Sequence, residues 1–370
     1  MKKLGFGLMR LPLLDEDDVS SINQELFNEM VDLFMKCGFT YFDTAYIYLK
    51  GNSEKSFKKA VVDRYPRDSF VVADKLPIFD LESTSQMQDV FEEQLERCGV
   101  DYFDYYLLHN VSTKHVSKFT DIDSFKFVRD MKACGKIKHI GISCHDTPEF
   151  LDNILTKHPE IEFVQLQINY LDWMDKNIQA RNCYDIVCKH GLKVVIMEPL
   201  KGGALINVPH DVKGLFKNYD ETRSVASWAM RFNLSLDNVL VILSGMKNMD
   251  DLQDNISTVD NFKGISKEES NILNKAVDII NDTSAIKCTS CNYCIDNCPA
   301  NINISKFFEL YNTQKLLNQS HSIAMYYRNY VSDSNHKKPS DCLKCNKCLD
   351  YCPQKLNIPD NLDKVGQLFE

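Results

Sequence analysis

Short apolar runs alternate with longer amphipathic stretches from Leu4 to about Asn255. Buried strands are predicted at Leu4 to Met9, Phe39 to Phe42, Phe70 to Ala73, Tyr105 to Leu108, Ile137 to Ile142, Phe163 to Ile168, Val194 to Met197 and Val239 to Leu243. Between them, apolar positions at helical spacing predict helices at Gln24 to Lys36, Ser83 to Cys98, Ser124 to Cys134, Pro148 to Lys157, Ile178 to His190 and Val225 to Asn233. Eight strands, each followed by a helix, point to an α/β fold with a closed parallel (β/α)8 TIM barrel rather than a doubly wound sheet. The first strand is followed by no GxGxxG, only Gly5 and Gly7, so a Rossmann dinucleotide site is not expected.

Three successive strands finish in reactive side chains: Asp43 closes one, Asp74 and Lys75 follow the next, and His109 follows the third. Tyr48 comes five residues after Asp43, before the next helix. In a parallel barrel those strand ends share one rim, where a site can be assembled. A phenol, with an ordinary pKa of about 10, needs help to exchange a proton with a carbonyl oxygen near neutrality. Lys75 would stabilise the phenolate of Tyr48, Asp43 would hold Lys75, and His109 would hydrogen-bond the carbonyl oxygen. Each also has a plainer role: Asp43 as a helix cap, Lys75 as a solvated cation, His109 as a core histidine, with Tyr46 as an equally available phenol. Their joint placement after consecutive strands singles them out.

Beyond the eighth strand a helix is expected at Ser266 to Asn281, and composition changes at Thr283 to Lys287. We therefore divide the chain into a barrel domain, residues 1–283, and a second domain, 284–370. Eight of the 14 cysteines fall in that second domain as two copies of one pattern, CTSCNYCIDNCP at 288–299 and DCLKCNKCLDYCP at 341–353. Each copy reads C-x2-C-x2-C-x3-C-P and resembles the run with which bacterial ferredoxins hold [4Fe-4S] clusters, three thiolates on one cluster and the fourth on the other. Two-residue spacings let a loop wrap one corner of a cubane, while the fourth cysteine starts a new segment directed away from it. On that resemblance one cluster takes Cys288, Cys291, Cys294 and Cys352, and the other takes Cys342, Cys345, Cys348 and Cys298. Tetrahedral zinc on paired CxxC motifs is the alternative. Between Cys298 and Cys342 lie 43 residues, helix-compatible at Ser305 to Leu317 and Ser322 to Tyr330. This suggests a small, mainly helical two-cluster module and leaves the pairing of the fourth ligands open. Its role is electron transfer or, through metal-dependent folding energy, bracing of the C-terminus. Cys37, Cys98, Cys134, Cys144, Cys183 and Cys188 are read as reduced, small apolar residues.

A net charge of -9 and no basic cluster beyond pairs such as Lys58 and Lys59 speak against a nucleic-acid partner. The start, Met1 to Lys3, imitates a signal peptide, but Arg10 and then Asp15 interrupt the apolar stretch that follows. No run approaches the roughly 20 apolar residues of a membrane span, and a cytoplasmic protein without a membrane partner is expected.

Residues 4 to about 256 resemble the aldo-keto reductases. The resemblance is carried by LGFGLMRLP (4–12), FDTAYIYLKGNSE (42–54), ADKLP (73–77), DYFDYYLLHN (101–110), GKIKHIGIS (135–143), VQLQINY (164–170), EPLKGGAL (198–205) and SGMKNMDDLQDNI (244–256). With the cysteine module, the chain is similar to the subgroup that carries a C-terminal ferredoxin-like domain. The resemblance implies a catalytic tetrad of Asp43, Tyr48, Lys75 and His109, with hydride passing between a nicotinamide and a carbonyl or alcohol substrate. It also implies that Ser143 and Gln165 hold the nicotinamide carboxamide and that Asp254 and Asn255 lie near the adenine. Two positions depart from the family pattern. Met197 stands where many members stack a tyrosine on the nicotinamide, and Asp251 stands where an arginine often binds a 2'-phosphate, with Lys247 near enough to compensate. NADP is the leading cofactor and NAD the alternative.

A small carbonyl or alcohol is the expected substrate, with Trp173 and Phe216 as a candidate apolar wall, and an electron-transfer protein is a possible partner. Two other functions stand beside the reductase: a cluster-fed, ferredoxin-linked reductase, and a non-catalytic redox-sensing or electron-carrier subunit. No flavin motif is visible to convert between two-electron hydride chemistry and one-electron clusters.

Overall fold

The computed structural model describes residues 1–15, 18–113, 115–176, 178–283, 285–316, 321–333 and 335–370. Ser284 and Leu317, where the second domain and one helix end were set, lie outside the described residues. Among the described residues eight strands pair in parallel: β1 (Leu4–Gly7), β2 (Tyr41–Asp43), β3 (Val71–Leu76), β4 (Phe103–Val111), β5 (Ile137–Cys144), β6 (Phe163–Gln167), β7 (Lys193–Met197) and β8 (Val239–Ser244). They follow sequence order, and β8 returns to β1 to close the barrel.

Side chains alternate between the two faces of each strand. Tyr41, Ala73, Leu107, Phe163, Val195 and Val241 form the interior core. Their neighbours Phe42, Val72, Leu108, Val164, Ile196 and Ile242 join the larger core that includes the helices. Because both faces are apolar, the strands read as continuous hydrophobic runs. Two positions beyond Tyr41, Ala73, Leu107, Gly141 and Phe163 come Asp43, Lys75, His109, Ser143 and Gln165, so the same alternation turns five polar side chains toward the barrel axis near one rim. Register agrees: Asp43 lies opposite Ala73, Lys75 opposite Leu107 and Ser143 opposite Gln165.

Gly141 is required by packing. A Cβ there would stand 2.3 Å from Cζ of Phe163, whose ring fills the interior beside Tyr105. Outside, the helix Gln24–Lys36 buries Phe27, Met30, Val31 and Phe34 at helical spacing, and the Asn23 side chain caps it by accepting from the Leu26 N–H.

Sequence periodicity ends β3 and β4 too early. Asp74, Lys75 and His109 lie within those strands, because ladder pairing continues past the apolar run, to Leu76 opposite Leu108 and on to Val111 opposite Cys144.

Two compact units are distinguished, residues 1–199 with 226–265, and residues 200–225 with 266–370. The helix Lys267–Thr283, expected to trail the barrel, packs within the second unit against the helix His210–Tyr219. That unit also contains the helices Ile304–Leu316, His321–Asp333, Lys347–Tyr351 and Ile358–Phe369. Its core is formed by Ile302, Ile304, Phe307, Phe308, Ile358, Leu362 and Val365, together with Cys294 and Cys348. The Tyr327 ring stacks on Phe369 and its hydroxyl donates to Glu370, tying down the last helix. No described helix is long and apolar enough to cross a membrane.

Candidate active site and cysteine cavities

At the end of β2, Asp43 Oδ1 lies 2.6 Å from Lys75 Nζ, and the same ammonium donates to the Thr44 carbonyl at 2.6 Å. Lys75 is fully buried and Asp43 nearly so. A buried ammonium needs both charge and hydrogen-bond compensation, and here a carboxylate and a backbone carbonyl supply them. Burial pushes the Asp43 carboxyl above its ordinary range, while Lys75 and a hydrogen bond from Gln165 act in the other direction. That bond, Gln165 Nε2 to Asp43 Oδ2, is 3.2 Å long.

Lys75 Nζ stands 4.7 Å from the centre of the Tyr48 ring, whose edge meets His109 with centroids 6.1 Å apart. Tyr48 opens a tight turn in which Leu49, Lys50 and Gly51 all take left-handed backbone angles, φ 51°, 56° and 80°. Two non-glycine residues held there carry strain that the surrounding structure must hold, as is common at functional sites. Burial raises the Tyr48 phenol well above its ordinary pKa; Asp43, Asp74 and Glu198 add to the shift and Arg10 opposes it. The hydroxyl is therefore a proton donor in its resting form. Tyr46, the competing phenol, donates instead to Glu93 at 2.8 Å, beneath the Arg97 guanidinium.

His109 is driven the opposite way. Burial first, then Lys75 and His145, hold its imidazole well below 6.5, so it is neutral near pH 7. Its buried Nδ1 has no hydrogen-bond partner among the described residues, and its ring packs against Phe79.

The next ring of side chains was not legible in sequence. Gln94 Nε2 donates to Asp74 Oδ1 and to the Lys75 carbonyl, at 2.7 and 3.1 Å, and its Oε1 accepts from the Tyr106 hydroxyl. Asp74 Oδ1 in turn accepts from the Lys75 N–H. Lys75 is thus fixed by its backbone as well as its ammonium. Glu54, beside Asp74, is bonded to Arg97 at 3.1 Å, and burial followed by the Glu54 charge lifts the Asp74 carboxyl well above its ordinary range. Gln94 and Cys98, four apart on one helix, carry the helical-spacing signal that could have found this layer. The Thr44 carbonyl, being backbone, has none.

The expected cofactor residues divide into two groups. Ser143 and Gln165 share the rim with Asp43, and Ser143 Oγ accepts from the Asn110 N–H at 2.8 Å. Lys247, Asp254 and Asn255 lie beyond β8, where Asn255 Nδ2 donates to Ser244 Oγ at 2.9 Å. Lys247 is exposed, and its backbone N–H donates to the Asp251 carboxylate at the start of the helix Met249–Asp260. Of the two aromatics proposed as a substrate wall, Phe216 is 1% exposed within the second unit and cannot serve, while Trp173 is half-buried and packs on Tyr184 and Phe232.

The chain's residues 3–278 match the aldo/keto reductase family. The chain belongs to that family. Residues 287–356 match a 4Fe-4S dicluster domain. An aldo-keto reductase of Mycobacterium avium is 28% identical over 241 residues, 65% of this chain and 75% of the relative. An NADH-specific methylglyoxal reductase of Escherichia coli is 28% identical over 188 residues, 46% of this chain and 55% of its own length. Among solved structures, a holo-form aldo-keto reductase of Bacillus halodurans superposes with a TM-score of 0.61 at 23% identity, over 74% of this chain and 91% of that one. An aldo/keto reductase of Klebsiella pneumoniae in complex with NADP and acetate gives 0.60 at 20% identity, over 74% and 90%. The chain is thus an oxidoreductase-family barrel carrying a ferredoxin-type segment.

In that segment the cysteines gather into two quartets. One cavity is lined by Cys298, Cys342, Cys345 and Cys348. A second is lined by Cys288, Cys291, Cys294 and Cys352. In each, one cysteine of one motif joins three of the other. Burial, reinforced by the neighbouring sulfurs, pushes the Cys348 thiol up to about 11 and raises Cys294 further. Four sulfurs converging on an otherwise largely apolar cavity suit a soft metal centre and fit a [4Fe-4S] cluster.

Proposed function

We propose that this aldo/keto reductase catalyses the nicotinamide-dependent reduction of a small carbonyl compound, and the reverse oxidation of the alcohol, at the rim of its barrel. The observation that carries the reading is the convergence of the buried Asp43–Lys75 pair, Tyr48 and neutral His109 on one inward-facing layer. A bound NADPH supplies the hydride. Tyr48 gives its phenolic proton to the substrate oxygen, and the adjacent Lys75 ammonium offsets the negative charge left on the phenolate. Asp43 and the Thr44 carbonyl hold Lys75, while His109, uncharged, hydrogen-bonds the substrate oxygen and orients it. Ser143 and Gln165 would hold the carboxamide, and Asp254 and Asn255 the adenine end. Lys247 would meet a 2'-phosphate.

The second reading of the cofactor, NADH, is favoured by the Asp251 carboxylate beside the Lys247 backbone, which would repel a 2'-phosphate. We assign two [4Fe-4S] clusters to the C-terminal residues, one held by Cys288, Cys291, Cys294 and Cys352 and the other by Cys298, Cys342, Cys345 and Cys348, for electron transfer or structural support. We place the barrel domain at 1–283 and the cluster domain at 284–370, in a cytoplasmic protein. The test is anaerobic oxidation of NADPH, and of NADH in parallel, by cluster-loaded protein given a panel of aldehydes and ketones. Carbonyl-dependent turnover with either nucleotide supports the reading. Nucleotide binding without turnover, across the panel, overturns it.

A further inference from the structure

The second unit begins, at Leu200, with a segment that places a lysine against the residue next but one to a cluster cysteine. Lys201 is 2% exposed, and its Nζ donates to Gln354 Oε1 at 2.6 Å. Gln354, 5% exposed, lines the cavity of Cys288, Cys291, Cys294 and Cys352. Lys201 is held there by a strained turn. Its own φ is 47°, and Gly202 and Gly203 follow at 65° and 96°. A lysine kept in the left-handed region persists only where its surroundings demand it.

An ammonium can donate but not accept, so its bond to Gln354 settles which end of that amide is oxygen. The opposite end is the N–H2 donor of a residue that lines the cavity. Cluster potentials respond to local charge, to hydrogen bonds on sulfur and to burial. On reduction a cluster gains one negative charge, which a buried cation and an amide donor both favour, and low-dielectric surroundings strengthen that effect. We infer that Lys201 is a positioning residue that, through Gln354, raises the reduction potential of the cluster held by Cys288, Cys291, Cys294 and Cys352. Lys201 and Gln354 both belong to the neighbourhood of this quartet's cavity, and neither lines the other cavity. This inference rests on the assignment of [4Fe-4S] clusters to the two quartets.

The test is an anaerobic redox titration followed by electron paramagnetic resonance, on full-length reconstituted protein with iron and acid-labile sulfide measured alongside. Lys201→Met removes the charge at similar length, and Lys201→Arg restores it. Expected is a downward shift of one of two potentials in the Met variant, with the other unmoved, and recovery in the Arg variant. Gln354→Glu carries the same test should Lys201→Met lose a cluster. It keeps the bond to Lys201 but replaces the amide donor with a carboxylate, and the same potential should fall. Unchanged potentials in variants with full iron content would overturn the inference, as would an equal shift of both. Wild-type protein that takes up no iron and sulfide would instead remove the cluster assignment beneath it.

Discussion

Lys75 and Asp43 form a buried ion pair, 2.6 Å between Nζ and Oδ1, directly beneath the Tyr48 ring. Removing one member of such a pair leaves the other desolvated and uncompensated, which costs roughly 3–5 kcal/mol in buried settings. Asp43→Ala should therefore lower both kcat and stability, the latter by about 3 kcal/mol in urea unfolding. Lys75→Met leaves the buried Asp43 carboxyl without its cation, but burial already raises that carboxyl's pKa, so it can take up a proton and stay neutral. This variant should lower kcat about 100-fold or more while destabilising less than Asp43→Ala. Full stability in both variants would argue against an electrostatic role for the pair.

Tyr48→Phe should abolish turnover, leaving at most about 1% of the rate, with nucleotide affinity measured by fluorescence unchanged. Burial raises the phenol pKa, so the wild-type reduction rate should stay level through pH 10, where an ordinary tyrosine would be half ionised, and fall only above it. Retained activity in the Phe variant would assign the proton to another group.

His109 predicts a stability effect at the acid side. Its folded-state pKa lies well below the ordinary 6.5, so the unfolded chain takes up the proton first. The stability this group contributes is complete above pH 6.5 and is lost as pH falls from there through the folded pKa. Comparing urea unfolding at pH 7.5 and 5.5, His109→Gln should lose less stability on acidification than wild type. A loss as large as in wild type would mean that His109 charges freely in the folded protein.

Gly141 tests the interior packing. A methyl group 2.3 Å from the Phe163 ring cannot be accommodated without moving it, so Gly141→Ala should destabilise by about 1–3 kcal/mol. Phe163→Leu in the same chain should recover part of that loss. Full stability of the single variant would show that the interior yields more readily than its packing implies.

Metal loading separates wiring from bracing. Cys291→Ser, in the Cys288, Cys291, Cys294 and Cys352 quartet, should reduce bound iron by about half while carbonyl-dependent nucleotide oxidation persists, because the proposed proton and hydride steps use none of these sulfurs. Loss of turnover in folded protein would make the cluster an obligatory relay.

The strand series was readable in sequence because both faces of each barrel strand are apolar, and because Asp43, Lys75 and His109 each interrupt such a run near its end. The cysteine motifs were equally legible, since their spacing is local. The residue pattern did not distinguish Tyr48 from Tyr46, because both lie in an irregular segment after β2 that obeys neither a strand nor a helix period. It also did not reveal that Phe216 would be buried in the second unit, or that Trp173 would pack on Tyr184 and Phe232. Exposure depends on what packs over a ring, and its neighbours here are distant in the chain.

What the chain determined by itself was local: where strands and helices form, which strand ends are polar, and that two quartets' worth of sulfur are present. What only the tertiary structure decided was which distant groups meet. Barrel closure turned alternate residues of separate strands onto one axis, bringing Gln165 to Asp43 across 122 positions. Folding of the second unit placed Lys201 on Gln354 across 153. Such pairings depend on chain closure and burial, which no local periodicity encodes.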